Sequence, residues 1–502
     1  MMDECLEESG PRRLISGGAW FLALMILSGV FWFLLGIQIT RAYGASGYGL
    51  FSMAQSLFDF TWAFIFGGIF EGLIHFGTGY LTKEDSNLAK FFSKYVRYLT
   101  GMSIVAFLII AFISFQMSDA LLKTIGLSLA FAFLFSGTKD ALSSILGSLH
   151  KSKQLSIVNS VGFYVVSILG MAIIMLKLPV ELLPVLVVFA PISQLLLCMY
   201  FLRTCLKDLA VFNIDFFKTK NLKNALVEDF KNFKHILVFG FSVSIGKISF
   251  IVMKNLDIPI LNLFFDFTNV GIYSVADAIS SVLFSMTAFS LPIISSISEA
   301  WTTKDDVLIE KYTKISVKYP LILGIPLTAI IFTLAEPLVI GVYTSEFQGA
   351  VVPLQILIIG TFLLMLGYTL TSILVGIGKA KLSGTLMAVG AIQYLICLFV
   401  FVPSFGLNGA AISLTLTGAT SLFLIPVFIR KHLRVDVFSG LHKVLFSVAV
   451  LFVFLYLIPK DNIFLLIFGT AIGVAIYVLL LRYTGYLTQE DINLFKHVRP
   501  ES

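Results

Sequence analysis

Eight ionisable side chains stand inside long apolar runs of this 502-residue chain: Lys139, Lys247 and Lys254, with Asp59, Glu71, Asp140, Asp257 and Asp277. Each costs roughly 2.5 to 3.5 kcal/mol at a bilayer centre unless it meets a partner or water, so such groups are expected to line a path. Lys247 and Lys254 are seven residues apart. That spacing is about 700° of helical rotation, which puts both on one face with Gly240 and Ser244. Two ammonium groups on one stripe can neutralise an anion as point charges without imposing a fixed geometry. They act strongly where the dielectric is low. Lys139 joins them as a cavity candidate, and so does Arg41, which can equally be an interface anchor at a helix end. The five acids are candidates for charge pairing or gating. The competing reading is internal pairing, Lys254 with Asp59 or Asp277 and Lys139 with a carboxylate of a neighbouring helix. Three cations against five anions do not by themselves make a positive cavity.

Covalent and acid–base chemistry find no constellation here. The six histidines form no HExxH, and there is no Gly-x-Ser-x-Gly and no phosphate loop. The adjacent acids Glu84 with Asp85 and Asp305 with Asp306 lie in polar segments and read as solvated turns. Cys5, Cys198, Cys205 and Cys397 lack metal-ligand spacing. No catalytic residue, cofactor, metal or nucleic-acid partner is expected. Of the 14% aromatic residues, led by 49 Phe, most are expected against lipid or helix. Trp20, Trp32, Trp62 and Trp301 can stack on sugars, although Trp20, Trp62 and Trp301 read rather as packing or interface positions.

The elements that must position these groups follow from composition. The chain is 58% hydrophobic and 13% charged, with a mean hydropathy of +0.95, which no soluble core of this size requires. A spanning helix needs roughly 20 mostly apolar residues. About fourteen such stretches are predicted, centred near 28, 64, 105, 132, 166, 191, 249, 285, 326, 364, 392, 418, 450 and 472. Runs such as "SIVAFLIIAFISF" lack the period-2 alternation of a membrane barrel. The fold class is therefore an all-α polytopic membrane protein. The stretch from Ser16 to Thr40 is too long for a signal peptide and reads as a retained helix.

Lysines and arginines concentrate in alternate connections, among them Arg12, Arg13, Lys83, Lys90, Lys151, Lys153, Lys304, Lys379, Lys381 and Arg430. The opposite connections carry almost only Arg41, Lys177 and Lys460. This bias predicts a cytoplasmic-membrane protein with both termini cytoplasmic.

Two segments repeat. "YGLFSMAQSLF" at 48–58 pairs with "VGIYSVADAIS" at 270–280, aligning Gly49 with Gly271 and Ala54 with Ala276 at one offset of 222. "LHKSKQLS" at 149–156 answers "IGKAKLS" at 377–383. The long polar interruption at 203–235 is the natural seam, and its amphipathic part can lie along the membrane surface. The predicted organisation is a first lobe of six helices over 1–202, the linker 203–235, and a second lobe over 236–430. A C-terminal helix hairpin and tail occupy 431–502. Six helices per unit make the copies parallel repeats, an arrangement that puts a cargo path between two lobes.

Four stretches resemble a known family. "ITRAYGASGYGLFSMAQSLFDF" is similar to the junction of the first two helices in polysaccharide-export flippases of the multidrug/oligosaccharidyl-lipid/polysaccharide superfamily, such as O-antigen-repeat-unit transporters. "KNLDIPILNLFFDFTNVGIYSVADAIS" resembles the same junction in the second lobe. "LAEPLVIGVYTSEFQGAVVPLQILIIG" and "VPSFGLNGAAISLTL" resemble two later connections. One departure is that the family's "FG-x-P" at the seventh helix is replaced by "FGFSVSIGK" at 239–247, so that a kink would fall to Gly240 or Gly246.

The resemblance implies a flippase for polyprenyl-diphosphate-linked oligosaccharide, working by alternating access in polysaccharide or lipopolysaccharide biosynthesis. Membrane lipids are implied partners, with glycan polymerase and glycosyltransferases as further ones. A diphosphate headgroup suits the lysine stripe. The alternative within the superfamily is a cation-coupled multidrug exporter. Such exporters often carry a carboxylate in the first helix, which "GAWFLALMILSGVFWFLLGIQIT" lacks.

Overall fold

The computed structural model describes residues 10–67, 69, 73, 88–149, 151–205, 244–284, 290–433, 435–459 and 463–489, and every regular element among them is helical. This is what a hydrocarbon solvent dictates, because a helix satisfies all its backbone groups internally. Eleven helices among the described residues are long and apolar enough to cross a membrane. Of the sequence-predicted centres, all but that at 285 fall in a helix, and residue 285 lies outside the described residues. Most of the linker, residues 206–235, and Glu71 also lie outside them.

The chain divides into two compact units, Met1–Ser274 and Val275–Ser502. In the first, α1 (Gly10–Phe66) is two predicted helices joined at a bend. The bend is Gly44, at φ 66° and ψ −166°, a conformation that a side chain would strain. After it come α2 (Leu88–Phe115), α3 (Ala120–Ser148), α4 (Ser152–Met175) and α5 (Leu186–Cys205). Asp119 caps α3 by accepting from the amides of Leu121 and Leu122 at 2.8 and 3.1 Å, satisfying donors that the first turn leaves open. Helices α2 and α5 pack along α3, and α4 packs along α1. Phe66 and Phe133, both fully buried, stack with ring centroids 6.1 Å apart in the core between them. The Tyr43 hydroxyl fastens the bend of α1 to the end of α4 by donating to the carbonyl of Leu178 at 2.7 Å.

Residues 244–255 form α6, followed by α7 (Asp257–Phe264) and α8 (Phe267–Ser280), whose residues up to Ser274 belong to the first unit. Asp257 was expected inside the same helix as Lys247 and Lys254. The helix is interrupted for one residue at Leu256, whose backbone stays in the right-handed helical region with its amide bonded to Val252, and Asp257 opens α7. The physical reason is local: Pro259 cannot donate an amide to a continuing helix but is tolerated in a first turn. The interruption among the described residues falls at Leu256; Gly246 is helical, and Gly240 lies outside the described residues.

The second unit contains α9 (Ser290–Thr302), α10 (Asp306–Thr333), α11 (Ala335–Val342), α12 (Val351–Gly376), α13 (Ala380–Phe405), α14 (Leu407–Leu433), α15 (Leu441–Leu457) and α16 (Ile463–Tyr483). α12 packs along α14. α15 and α16 form the predicted hairpin, tied to α10 where Tyr477 donates to the carbonyl of Ile322 at 2.9 Å.

Candidate functional site

Five of the candidate ionisable side chains among the described residues of the first unit, Asp59, Lys139, Asp140, Lys247 and Lys254, stand on three helices. On the second limb of α1, Gln55, Asp59 and Trp62 are spaced four and three apart, so they share one face. The Gln55 amide donates to Asp59 at 3.1 Å, and Lys254 of α6 is near enough to Asp59 for its charge to act on the carboxylate. This fits one of the two partners expected for Lys254.

Lys139 and Asp140 are neighbours on α3, and their side chains pair at 2.5 Å. The expectation for Lys139 was a carboxylate on another helix. Adjacent helical residues point about 100° apart, but the four-carbon lysine stem is long enough to fold back onto the next side chain. Asp140 is 3% exposed. Its other oxygen accepts from the Trp62 indole nitrogen at 2.7 Å. The Lys139 ammonium lies 5.9 Å and the Lys247 ammonium 5.7 Å from the centroid of the Trp62 ring. Two cations from two helices thus flank one indole whose N–H is held by a buried carboxylate. Both distances are within cation–π reach.

Polar support continues behind the pair. Ser136 and Ser144 of α3 return their hydroxyls to carbonyls one turn back at 2.8 Å, and Ser143 meets Cys198 of α5 at 3.2 Å. These hydroxyl groups are satisfied within the protein.

The remaining candidates are dispersed. Asp257 is 2% exposed and accepts from the Tyr273 hydroxyl at 2.7 Å and from the Ile258 amide at 2.9 Å. Arg41 is exposed, one turn before the Gly44 bend. Asp277 is half-buried in the second unit. Trp62 is the residue that sequence reasoning assigned to packing. Its position seven after Gln55 and three after Asp59 was the available signal.

Gly49 and Gly271, the aligned glycines of the repeat, meet directly. A Cβ on Gly49 would run into the carbonyl oxygen of Phe267 and sit 2.8 Å from the Gly271 nitrogen. One on Gly271 would run into the carbonyl oxygen of Ala45 and sit 2.9 Å from the Gly49 nitrogen. Backbone therefore touches backbone where α1 crosses α8, as small residues permit in membranes.

Comparison with known proteins places this arrangement. The sequence profile of a family described as "Polysaccharide biosynthesis protein" matches residues 14–298. A membrane protein of Methanocaldococcus jannaschii, described as uncharacterized, is 30% identical over 227 residues, which is 44% of this chain and 52% of that relative. The chain thus spans about half the length of the curated relative it matches. Among solved structures, the lipid II flippase MurJ in an inward closed conformation superposes with a TM-score of 0.72 at 16% identity, over 93% of this chain and 98% of that one. An inward-facing multidrug resistance MATE family transporter of the MOP superfamily gives 0.65 at 14% identity, over 83% and 98%. At these identities the likeness is one of fold.

Proposed function

Because this chain belongs to the polysaccharide biosynthesis protein family, and its fold is that of MOP-superfamily transporters, we propose that it flips a polyprenyl-diphosphate-linked oligosaccharide across the cytoplasmic membrane. The observation that carries the proposal is the pair of ammonium groups, Lys139 and Lys247, converging on Trp62, with Lys254 further along the same face of α6. A diphosphate needs cations in a water-poor passage, and lysines supply them without demanding a single orientation. The sugar and the lipid need no charge recognition at all.

In this proposal residues 1–202 and 236–430 act as two six-helix lobes with alternating access, and both termini are cytoplasmic. An anionic headgroup leaving an inside-negative cell gains about 2.3 kcal/mol per charge per 100 mV. The potential thus supplies direction without a nucleotide site. Glycosyltransferases would make the cargo on the inner face and a polymerase would consume it on the outer one. The structural neighbours, a lipid II flippase and a multidrug resistance transporter, accord with cargo movement and not with bond chemistry.

The test is export in cells that lack the native gene. Wild type should restore surface glycan, whereas Lys247→Gln with Lys254→Gln should leave lipid-linked oligosaccharide on the cytoplasmic leaflet at normal protein levels. Full export by that double variant would remove the lysine stripe from the mechanism. Loss of export together with accumulation of a neutral lipid-linked species would reject the diphosphate.

A further inference from the structure

Asp140 presents a difficulty for a cavity that is meant to hold an anion. It is buried, ionisable, and placed against one of the cations that the cargo would use. Its two oxygens are taken up separately, one by Lys139 at 2.5 Å and the other by Trp62 at 2.7 Å. The indole then presents its ring to Lys139 and Lys247. If the site were selected for the tightest grip on phosphate, a carboxylate there would be counterproductive, since it repels the headgroup and competes for Lys139.

We infer that Asp140 is a built-in counter-anion that lowers the cavity's hold on a phosphate-bearing headgroup, so that the headgroup is released after crossing. The inference rests on the headgroup reading above and assigns a role to a residue which that reading does not use. A carrier must bind well enough to load and weakly enough to unload. A second constraint acts on the empty protein, where uncompensated lysines in apolar surroundings would be expensive. Asp140 meets both demands: it neutralises Lys139 between cargoes and opposes the cargo's charge while it is bound. Trp62 keeps the carboxylate oriented, so Lys139 can turn toward a phosphate while the indole N–H still holds the other oxygen.

The distinguishing feature is a sign. A purely structural Asp140 would, when changed, loosen the site and weaken binding. A counter-anion would, when neutralised, tighten it. The experiment uses purified full-length protein in lipid nanodiscs with geranylgeranyl diphosphate as the probe, and Asp140→Asn as the variant. Asparagine can still accept from Trp62, so shape is retained and charge is lost. The expected result is binding about tenfold tighter, the equivalent of one partly screened charge interaction. Flipping of a labelled lipid diphosphate in vesicles should fall at the same time, and Asp140→Glu should return both toward wild type.

The same sign is expected in a second background, where Lys139→Gln with Asp140→Asn binds more tightly than Lys139→Gln alone. Unchanged or weaker binding in both backgrounds overturns the inference. If that occurs while Lys247→Gln still weakens the probe, the headgroup reading survives and only the role of Asp140 falls. Absence of probe binding to wild type overturns both.

Discussion

Gly49 and Gly271 occupy the same place in two copies of one sequence pattern, and in the folded chain their backbones are in contact. Similarity of two segments is ordinarily evidence that they fold alike. Here it also marks where they touch, because each copy contributes the residue whose missing side chain admits the other. A methyl group on either would have to push a carbonyl oxygen aside.

Gly49→Ala is therefore expected to lower stability by about 1 to 3 kcal/mol, the usual range for overpacking a tight contact. Gly101→Ala is the control, since nothing lies within 4 Å of a Cβ there. Thermal unfolding in detergent should separate the two, and equal melting temperatures would contradict the close approach.

Trp62→Phe keeps a ring beside the lysines but removes the N–H that Asp140 accepts. A hydrogen bond to a charged group is worth about 1.5 to 3 kcal/mol. Trp62→Leu also loses the cation–π contacts, adding about 0.5 to 2 kcal/mol. Transport rates and unfolding midpoints should rank wild type, Phe, Leu in descending order; a Leu variant equal to Phe would mean that the ring does not matter to the lysines.

Tyr273→Phe removes the hydroxyl that Asp257 accepts at 2.7 Å. A loss of about 1.5 to 3 kcal/mol is expected. Tyr273→Phe combined with Asp257→Asn should cost less than the sum of the single changes, because the two act as a unit. Additivity in a double-mutant cycle would separate them.

Asp266, in the turn between α7 and α8, is exposed and accepts from the amide and the side chain of Asn269 at 3.1 and 2.7 Å. These bonds favour the ionised form and hold its carboxyl below the ordinary value of 3.8. A depressed value contributes stability that is fully present above 3.8 and fades as pH falls through the lower folded value. The protection factors of the amides in the first turn of α8, with the intrinsic pH dependence of exchange divided out, should consequently be constant near neutrality and fall only in acid. Asn269→Ala should shift that onset upward toward 3.8.

What could be read in advance divides along physical lines. The helices were legible because burial in lipid demands long apolar runs, and the repeat predicted that the chain turns at equivalent places. It does so at Gly44 and at Phe265–Asp266, the same offset of 222 apart when Gly44 is matched to Asp266. The spacing of Lys247 and Lys254 placed both on one helix, as found. The partners of Lys139 were not legible: helical periodicity predicts a face but not how far a flexible stem folds along it. The contacts of Trp62 with Asp140 and the lysines were not foreseen because an indole in an apolar run carries no charge to mark it. The break at Leu256 was missed because Pro259 is equally compatible with a first turn and with a kink.

That break has a consequence for cargo. A helix start is a partial positive charge and in many proteins a place for anions to settle. At α7 the first-turn position is already held by the chain's own Asp257, whose carboxylate takes the Ile258 amide. That amide is thereby satisfied from within the chain. On the proposed reading, the hold on a phosphate at this point falls to side chains, which can let go, and not to the main chain, which cannot.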